Sequence, residues 1–182
     1  PMVTFTNNCS AANRRELRIT KEETGQPIDD NATFTFQIQL ESTTSGNLVN
    51  YEGPYYLQRE GNYYYYNEDG DLVSNGNKAI VCGYTTDNGQ VSGIKVGDTV
   101  SITKLLSGTD FKVWEIDPNG ESTSAIYNIP QYEVVNAGEN PVIDNTDNGG
   151  VTGTIQLGTD KNALVTITNS LANVPDSAFI EV

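Results

Sequence analysis

Histidine is absent from all 182 residues, and the only cysteines are Cys9 and Cys82. Without an imidazole, Ser-His-Asp and Cys-His nucleophiles, histidine zinc sites and imidazole proton relays have no residue to carry them. Two cysteines so far apart make no metal motif. They are either unrelated thiols or one disulfide tying the N-terminal segment to the middle of the chain, which requires an oxidising compartment. Basic residues are scarce as well: ten Lys and Arg face twenty-four Asp and Glu, a formal charge of −14. Such a surface repels phosphate, so nucleic acid is not an expected partner. No run of 18 apolar residues occurs and no signal-peptide pattern opens the chain. A soluble piece of a longer protein, without membrane insertion, is therefore expected.

What is present is strand pattern. Val3-Thr4-Phe5-Thr6, Leu17-Arg18-Ile19-Thr20, the run from Thr33 to Leu40, Val100-Ser101-Ile102-Thr103 and Val165-Thr166-Ile167-Thr168 alternate apolar and polar residues with period two. That pattern belongs to half-buried antiparallel sheet. Turn chemistry punctuates it at Asp69-Gly70, Asn75-Gly76, Asn88-Gly89, Ser107-Gly108, Asn119-Gly120 and Asn148-Gly149. No 3.6-residue stripe exceeds two turns. The expected fold class is all-β, an immunoglobulin-like Greek-key β-sandwich, and the length suits one domain.

Two acidic segments invite a metal reading. Glu139, Asp144 and Asp147 lie in the polar insertion from Asn136 to Gly150, and Glu68, Asp69 and Asp71 flank a Gly-containing turn. Neither spacing matches an EF-hand loop, so both are read as solvated turns, with no metal and no cofactor expected. The run Tyr63-Tyr64-Tyr65-Tyr66 is the most prominent aromatic feature, with Tyr51, Tyr55 and Tyr56 upstream. Alternation sends two of the four inward and two outward. The outward pair, Tyr63 and Tyr65, could stack on a sugar or anchor a protein ligand, or the run could supply cross-strand pairs in a long hairpin.

Three polar residues sit on the wrong parity. Lys21 continues the face of Leu17 and Ile19, Glu115 continues that of Phe111 and Val113, and Asn169 continues that of Val165 and Ile167. A lysine, a glutamate and an asparagine buried separately would each be costly, which suggests that they partner one another. Lys21 is on the first strand of the main domain and Asn169 on the last, and a Greek-key sandwich can set first and last strands side by side. Lys104 shares the parity of Val100 and Ile102 and is the rival lysine, but it runs into the following turn and is placed at a rim.

Leu17 to Lys21, Phe34 to Leu40, Gly97-Asp98-Thr99-Val100 running on through Gly108 to Glu115, and Val165-Thr166-Ile167-Thr168-Asn169 together resemble the ordered signature of the Cna-B-type immunoglobulin-like domains of Gram-positive surface adhesins and pilins. The resemblance covers roughly residues 14–171. It implies an extension over 1–13, a β-sandwich over 14–171 and a C-terminal extension over 172–182. It also implies a spontaneous isopeptide bond between Lys21 and Asn169 assisted by Glu115, a single turnover on itself that leaves the protein no enzyme in the usual sense. Val3 to Asn7 resembles the closing strand of such a domain, and is either the tail of a preceding domain or an extra edge strand of this one. The implied location is the exterior of the cell, on a wall-anchored protein whose anchor lies outside this fragment, with neighbouring domains of the same protein as partners. Two departures bear on the reading: the region from Leu48 to Tyr84 is long and tyrosine-rich, and no clear polymerisation motif for a shaft pilin appears.

The leading expectation is a structural module of a cell-surface adhesin or pilus protein. The alternative is an adhesin domain that binds host glycan or protein through its tyrosine-rich region. A two-carboxylate glycosidase finds no convincing acid pair in the sequence.

Overall fold

A computed structural model describes residues 14–120, 126–156 and 162–172. Two β-sheets make up the fold. The first contains, in spatial order, β11 (Gln131–Val135), β14 (Ala163–Asn169), β1 (Arg14–Glu23), β9 (Thr99–Leu106), β4 (Pro54–Arg59), β5 (Asn62–Tyr66) and β6 (Leu72–Ser74), with the short β7 (Gly83–Tyr84) also paired to β4. The second contains β12 (Val142–Asp144), β13 (Gly150–Thr154), β10 (Asp110–Glu115), β2 (Phe34–Glu41) and β3 (Leu48–Asn50), with β8 (Gln90–Ile94) also on β2. Helix is limited, among the described residues, to a single 3₁₀ turn at Pro118–Gly120, and no helix is long and apolar enough to cross a membrane. The architecture is the expected immunoglobulin-like β-sandwich.

Period-two patterning builds the core. On β2, Phe34, Phe36, Ile38 and Leu40 point inward while the residues between them are half-exposed. Leu17 and Ile19 of β1, Phe111 and Val113 of β10, and Val165 and Ile167 of β14 meet them from the other strands, all fully buried or nearly so. Each such side chain contributes roughly 1.5–3 kcal/mol by leaving water.

The expectation of antiparallel pairing fails in one place. β1 and β14 run parallel, with Lys21 opposite Ile167 and Glu23 opposite Asn169. The first and last strands thus lie side by side and point the same way, which alternation within each strand could not reveal.

Lys104 is exposed, as a rim position requires, but β9 continues past it to Leu106. Lys104 has a left-handed backbone (φ 61°) where the β1–β9 register shifts, and this bulge returns Leu105 to the core. An extra residue in one strand resets parity, so alternation carried through from Val100 points Lys104 the wrong way.

In the tyrosine run Tyr64 packs against the core while Tyr63 meets Tyr56 on the other face, as alternation requires. None of Tyr63 to Tyr66 is fully buried, because β5 lies next to the edge strand β6 and is only partly covered. The run forms the hairpin reading instead: β5 pairs β4, and Tyr56 and Tyr63 meet edge to face at 6.3 Å. The acidic turn between β5 and β6 is closed by the Asn67 side chain, which accepts from the amides of Asp69 and Asp71. The insertion from Asn136 to Gly150 is not wholly loop, since Val142–Asp144 forms an exposed edge strand on β13. Asp144 there accepts from the hydroxyl and amide of Thr146, and no metal-binding cluster occurs among the described residues. Cys82 is buried, and burial pushes its thiol up to about 11. Cys9 and the segment from Val3 to Asn7 lie outside the described residues, and so does the proposed pairing of the two cysteines.

Candidate functional site

Lys21, Glu115 and Asn169 come together between the sheets. Lys21 and Asn169 are wholly buried and Glu115 is 3% exposed. β1 and β14 deliver the first two from the same sheet, and β10 delivers Glu115 from the facing sheet. Lys21 Nζ donates to Asn169 Oδ1 at 2.5 Å and lies 3.0 Å from Glu115 Oε2. Asn169 Nδ2 donates to the other carboxyl oxygen, Glu115 Oε1, at 2.6 Å. The three side chains close a triangle in which the glutamate touches both nitrogens. Glu115 Oε2 faces Nζ and closes the third side of the triangle. Asn169 Oδ1 faces Lys21 Nζ and its Nδ2 faces Glu115, an orientation that gives each donor an acceptor.

The walls of the site are apolar or aromatic. The Phe34 ring lies under Lys21 Nζ at 4.2 Å, and Tyr127 packs edge-on to Phe34 at 5.4 Å. Tyr132 is buried, and its hydroxyl accepts the backbone amide of Glu115 at 3.0 Å. Desolvation in this setting holds the Lys21 amine below its ordinary range, against the attraction of Glu115. The same burial raises the Glu115 carboxyl, against the opposing influences of Lys21 and Asn169. Both shifts favour the uncharged forms, an amine and a carboxylic acid.

Backbone bonds anchor the trio. The Asn169 carbonyl accepts from Thr24 at 3.0 Å, tying the end of β14 to the end of β1. On the other side of Lys21, its amide donates to the Asp98 carbonyl at 2.9 Å and its carbonyl accepts from Gly97 at 2.8 Å. Asp98 was not singled out as a site residue, yet it is fully buried and receives Arg59 in a two-pronged pair at 2.7 and 2.8 Å. Parity carried a usable signal, because Asp98 shares the face of Val100 and Ile102. Phe34 and Tyr132 were also missed as neighbours of the trio, since only the packing of the two sheets brings them there. Tyr63 lies on the outer side of the first sheet beside Tyr56, and Tyr65 pairs with Val73 of β6.

Fold and site together define a two-sheet immunoglobulin-like domain with a buried Lys-Glu-Asn triangle between its first, central and last strands. The chain belongs to the family described as Domain of unknown function (DUF7601), whose model matches residues 15–171. No curated protein matches it. Among solved structures, a mutant of the major pilin from Streptococcus pyogenes is similar over 87% of this chain and 48% of its own, at 19% identity and a TM-score of 0.50. The same pilin in another structure gives 19% identity, the same two coverages and a TM-score of 0.49. A bacterial adhesin from Mobiluncus mulieris, described as containing intramolecular disulfide, isopeptide and ester bond cross-links, aligns with 87% of this chain and 42% of its own, at 13% identity and a TM-score of 0.43. The chain therefore spans about half the length of the pilins it resembles, and what it shares with them is the fold.

Proposed function

We propose that this chain is a structural module of an extracellular pilus or adhesin protein, of the Cna-B type, locked by an isopeptide bond between Lys21 and Asn169. The observation that carries the reading is the buried contact of Lys21 Nζ with the Asn169 carboxamide, bridged by both oxygens of one glutamate. The pilin-like fold supports it. The anchor and the neighbouring domains that complete such a protein belong to the same proposal.

The chemistry follows from the geometry. The neutral Lys21 amine attacks Asn169 Cγ, giving a tetrahedral centre in which Nδ2 is no longer conjugated and becomes basic. Glu115 takes a proton from Nζ at Oε2 and gives one to Nδ2 from Oε1. The Cγ–Nδ2 bond breaks, ammonia leaves, and a secondary amide remains with Glu115 protonated as before. A cavity of about 150 Å³, lined in part by Glu115, Tyr132, Asn128 and Thr146, adjoins the glutamate. Proximity replaces the catalyst of an ordinary enzyme, since oriented groups reach effective molarities of about 10⁵–10⁸ M. The reaction occurs once per molecule and needs no cofactor.

Intact mass under reducing conditions tests the bond. The expected mass is one ammonia below that of the sequence, with fragmentation placing the link at Lys21 and Asn169 rather than at an Asn-Gly step such as Asn88-Gly89. A full-length mass sinks the reading. Glu115→Ala is expected to restore the full mass while keeping a strand-rich circular dichroism spectrum; if the deficit persisted, Glu115 would have no part in the chemistry.

One observation favours a second, compatible reading. A recess of about 430 Å³ on the outer side of the first sheet is lined by Tyr56 and Tyr63 together with Arg18, Lys104, Ser101 and Thr103. Aromatic faces beside hydroxyls and cations, with Glu16 paired to Arg18 within the recess, suit a host glycan. Saturable binding on a glycan array, lost in Tyr63→Ala, would assign the module a ligand; its absence leaves a stalk.

A further inference from the structure

The ion pair between half-buried Arg59 and buried Asp98 has no part in the chemistry above, yet the Asp98 turn holds the backbone of the reacting lysine. Asp98 Oδ1 and Oδ2 accept the Arg59 fork, and Oδ2 also accepts the Lys95 amide at 2.8 Å. The Asp98 amide donates to the Lys95 carbonyl at 3.1 Å, so the segment from Lys95 to Asp98 is a closed turn with the carboxylate at its centre. This turn presents the Asp98 carbonyl and the Gly97 amide to the two sides of the Lys21 peptide. Gly97 has a left-handed backbone (φ 90°), the conformation that lets the turn fold back on β1. Next to it, Thr20 and Thr99 join hydroxyls at 3.0 Å, extending the clamp by one residue.

A carboxylate that is wholly buried tolerates its charge only because it is paired and hydrogen-bonded. Its three acceptor contacts come from two separate elements, β4 through Arg59 and the turn itself through Lys95. The planar guanidinium fixes direction as well as charge, which an ammonium would not do. Arg59 also lies 5.3 Å from the ring centre of Tyr64 on the adjoining strand β5.

Resting on the isopeptide reading, we infer that Asp98, aimed by Arg59, is the positioning residue for cross-linking. It fixes the Lys21 backbone so that Nζ meets the Asn169 carboxamide, while taking no proton and touching no reacting atom. Oriented reactions lose roughly 100-fold in rate for a displacement of about 1 Å, so loosening this clamp shows in the rate of bond formation.

The test is a time course of cross-linking in the full chain after cell-free synthesis, read by intact mass as the fraction that has lost ammonia. Asp98→Asn keeps the shape of the carboxylate and removes its charge; Arg59→Lys keeps the charge and removes the fork. Each is expected to slow bond formation by about 10- to 100-fold, and the double variant to be no slower than the worse single one, because both act through one contact. A core variant remote from the site, such as Ile155→Val, is the control for lost stability and is expected to cross-link at the unaltered rate. Cross-linking of both single variants at the unaltered rate, additive effects in the double variant, or equal slowing in Ile155→Val would overturn the positioning role. Should Asp98→Asn fail to fold, Arg59→Lys against Ile155→Val gives the same decision. Absence of any ammonia loss in the unaltered chain would instead overturn the isopeptide reading itself.

Discussion

Glu115 stands between two nitrogens, 3.0 Å from the one proposed to attack and 2.6 Å from the one proposed to leave, and its protonation decides what the triangle can do. Attack needs Lys21 neutral and Glu115 protonated. Acid silences the lysine and alkali silences the glutamate, so the rate of cross-linking is expected to be bell-shaped in pH. Burial lowers the first group from its ordinary 10.5 and raises the second from its ordinary 4.5, so the profile is to be followed from below pH 4.5 up to pH 10.5. Time courses of ammonia loss across that range check it, and a rate that climbed steadily to pH 10.5 would remove the acid role of Glu115. Glu115→Gln keeps the shape but cannot exchange protons, and it is expected to lower the cross-linked fraction at least 100-fold at a fixed early time. At this scale much of the site was legible, because an inward polar residue at the end of an apolar row is visible in one strand at a time. Lys21, Glu115 and Asn169 all showed that sign, and Asp98 showed it too without being singled out. Phe34 gave no such sign, since an inward phenylalanine is what any core strand contains.

Pairing of the elements determines how such a bond carries load. β1 and β14 are parallel neighbours, so tension on the two chain ends shears them lengthwise, across hydrogen bonds loaded together. A link between Lys21 and Asn169 takes that tension directly and shields the 148-residue separation between them. Stretched between handles at both ends, the unaltered protein is expected to show no unfolding step for this domain. Glu115→Ala is expected to release roughly 500 Å more, at ~3.3–3.6 Å per residue. Equal extensions for the two proteins would refute a force-bearing link. A second prediction concerns β13. A methyl group at Gly150 (φ 148°) would press against the Val113 carbonyl oxygen and the Trp114 side chain of β10. Gly150→Ala in the Glu115→Ala background is expected to lower stability by about 1–3 kcal/mol in urea denaturation. Strand existence and facing were readable from alternation, but the bulge at Lys104 and the parallel pair were not, because each depends on a partner strand distant in the chain.

For the molecule as a whole, a covalent tie over this separation acts on the unfolded ensemble. The loop-closure relation used for disulfides gives about 5 kcal/mol for a closed loop of this length. For a domain of this size that corresponds to a melting temperature roughly 10–20 °C above that of Glu115→Ala. Calorimetry of the two proteins provides the comparison, with reductant present so that Cys82 makes no contribution. A difference under 2–4 °C would mean that the tie closes no significant entropy. The −14 charge belongs to the outer surface, while the proposed chemistry takes place where water is excluded.

Alternation, turn residues and composition determined by themselves that this chain is all-β, that its core is built from inward Phe, Ile, Leu and Val, and that three polar side chains break the pattern. Those are properties of a strand and its two faces, and a strand writes its faces into its own sequence. Tertiary structure alone decided that β1 and β14 run parallel, that β10 brings Glu115 across from the other sheet, and that Asp98 and Arg59 clamp the Lys21 backbone. Each of these joins residues far apart along the chain, and such a meeting depends on how whole sheets pack, which no local pattern records.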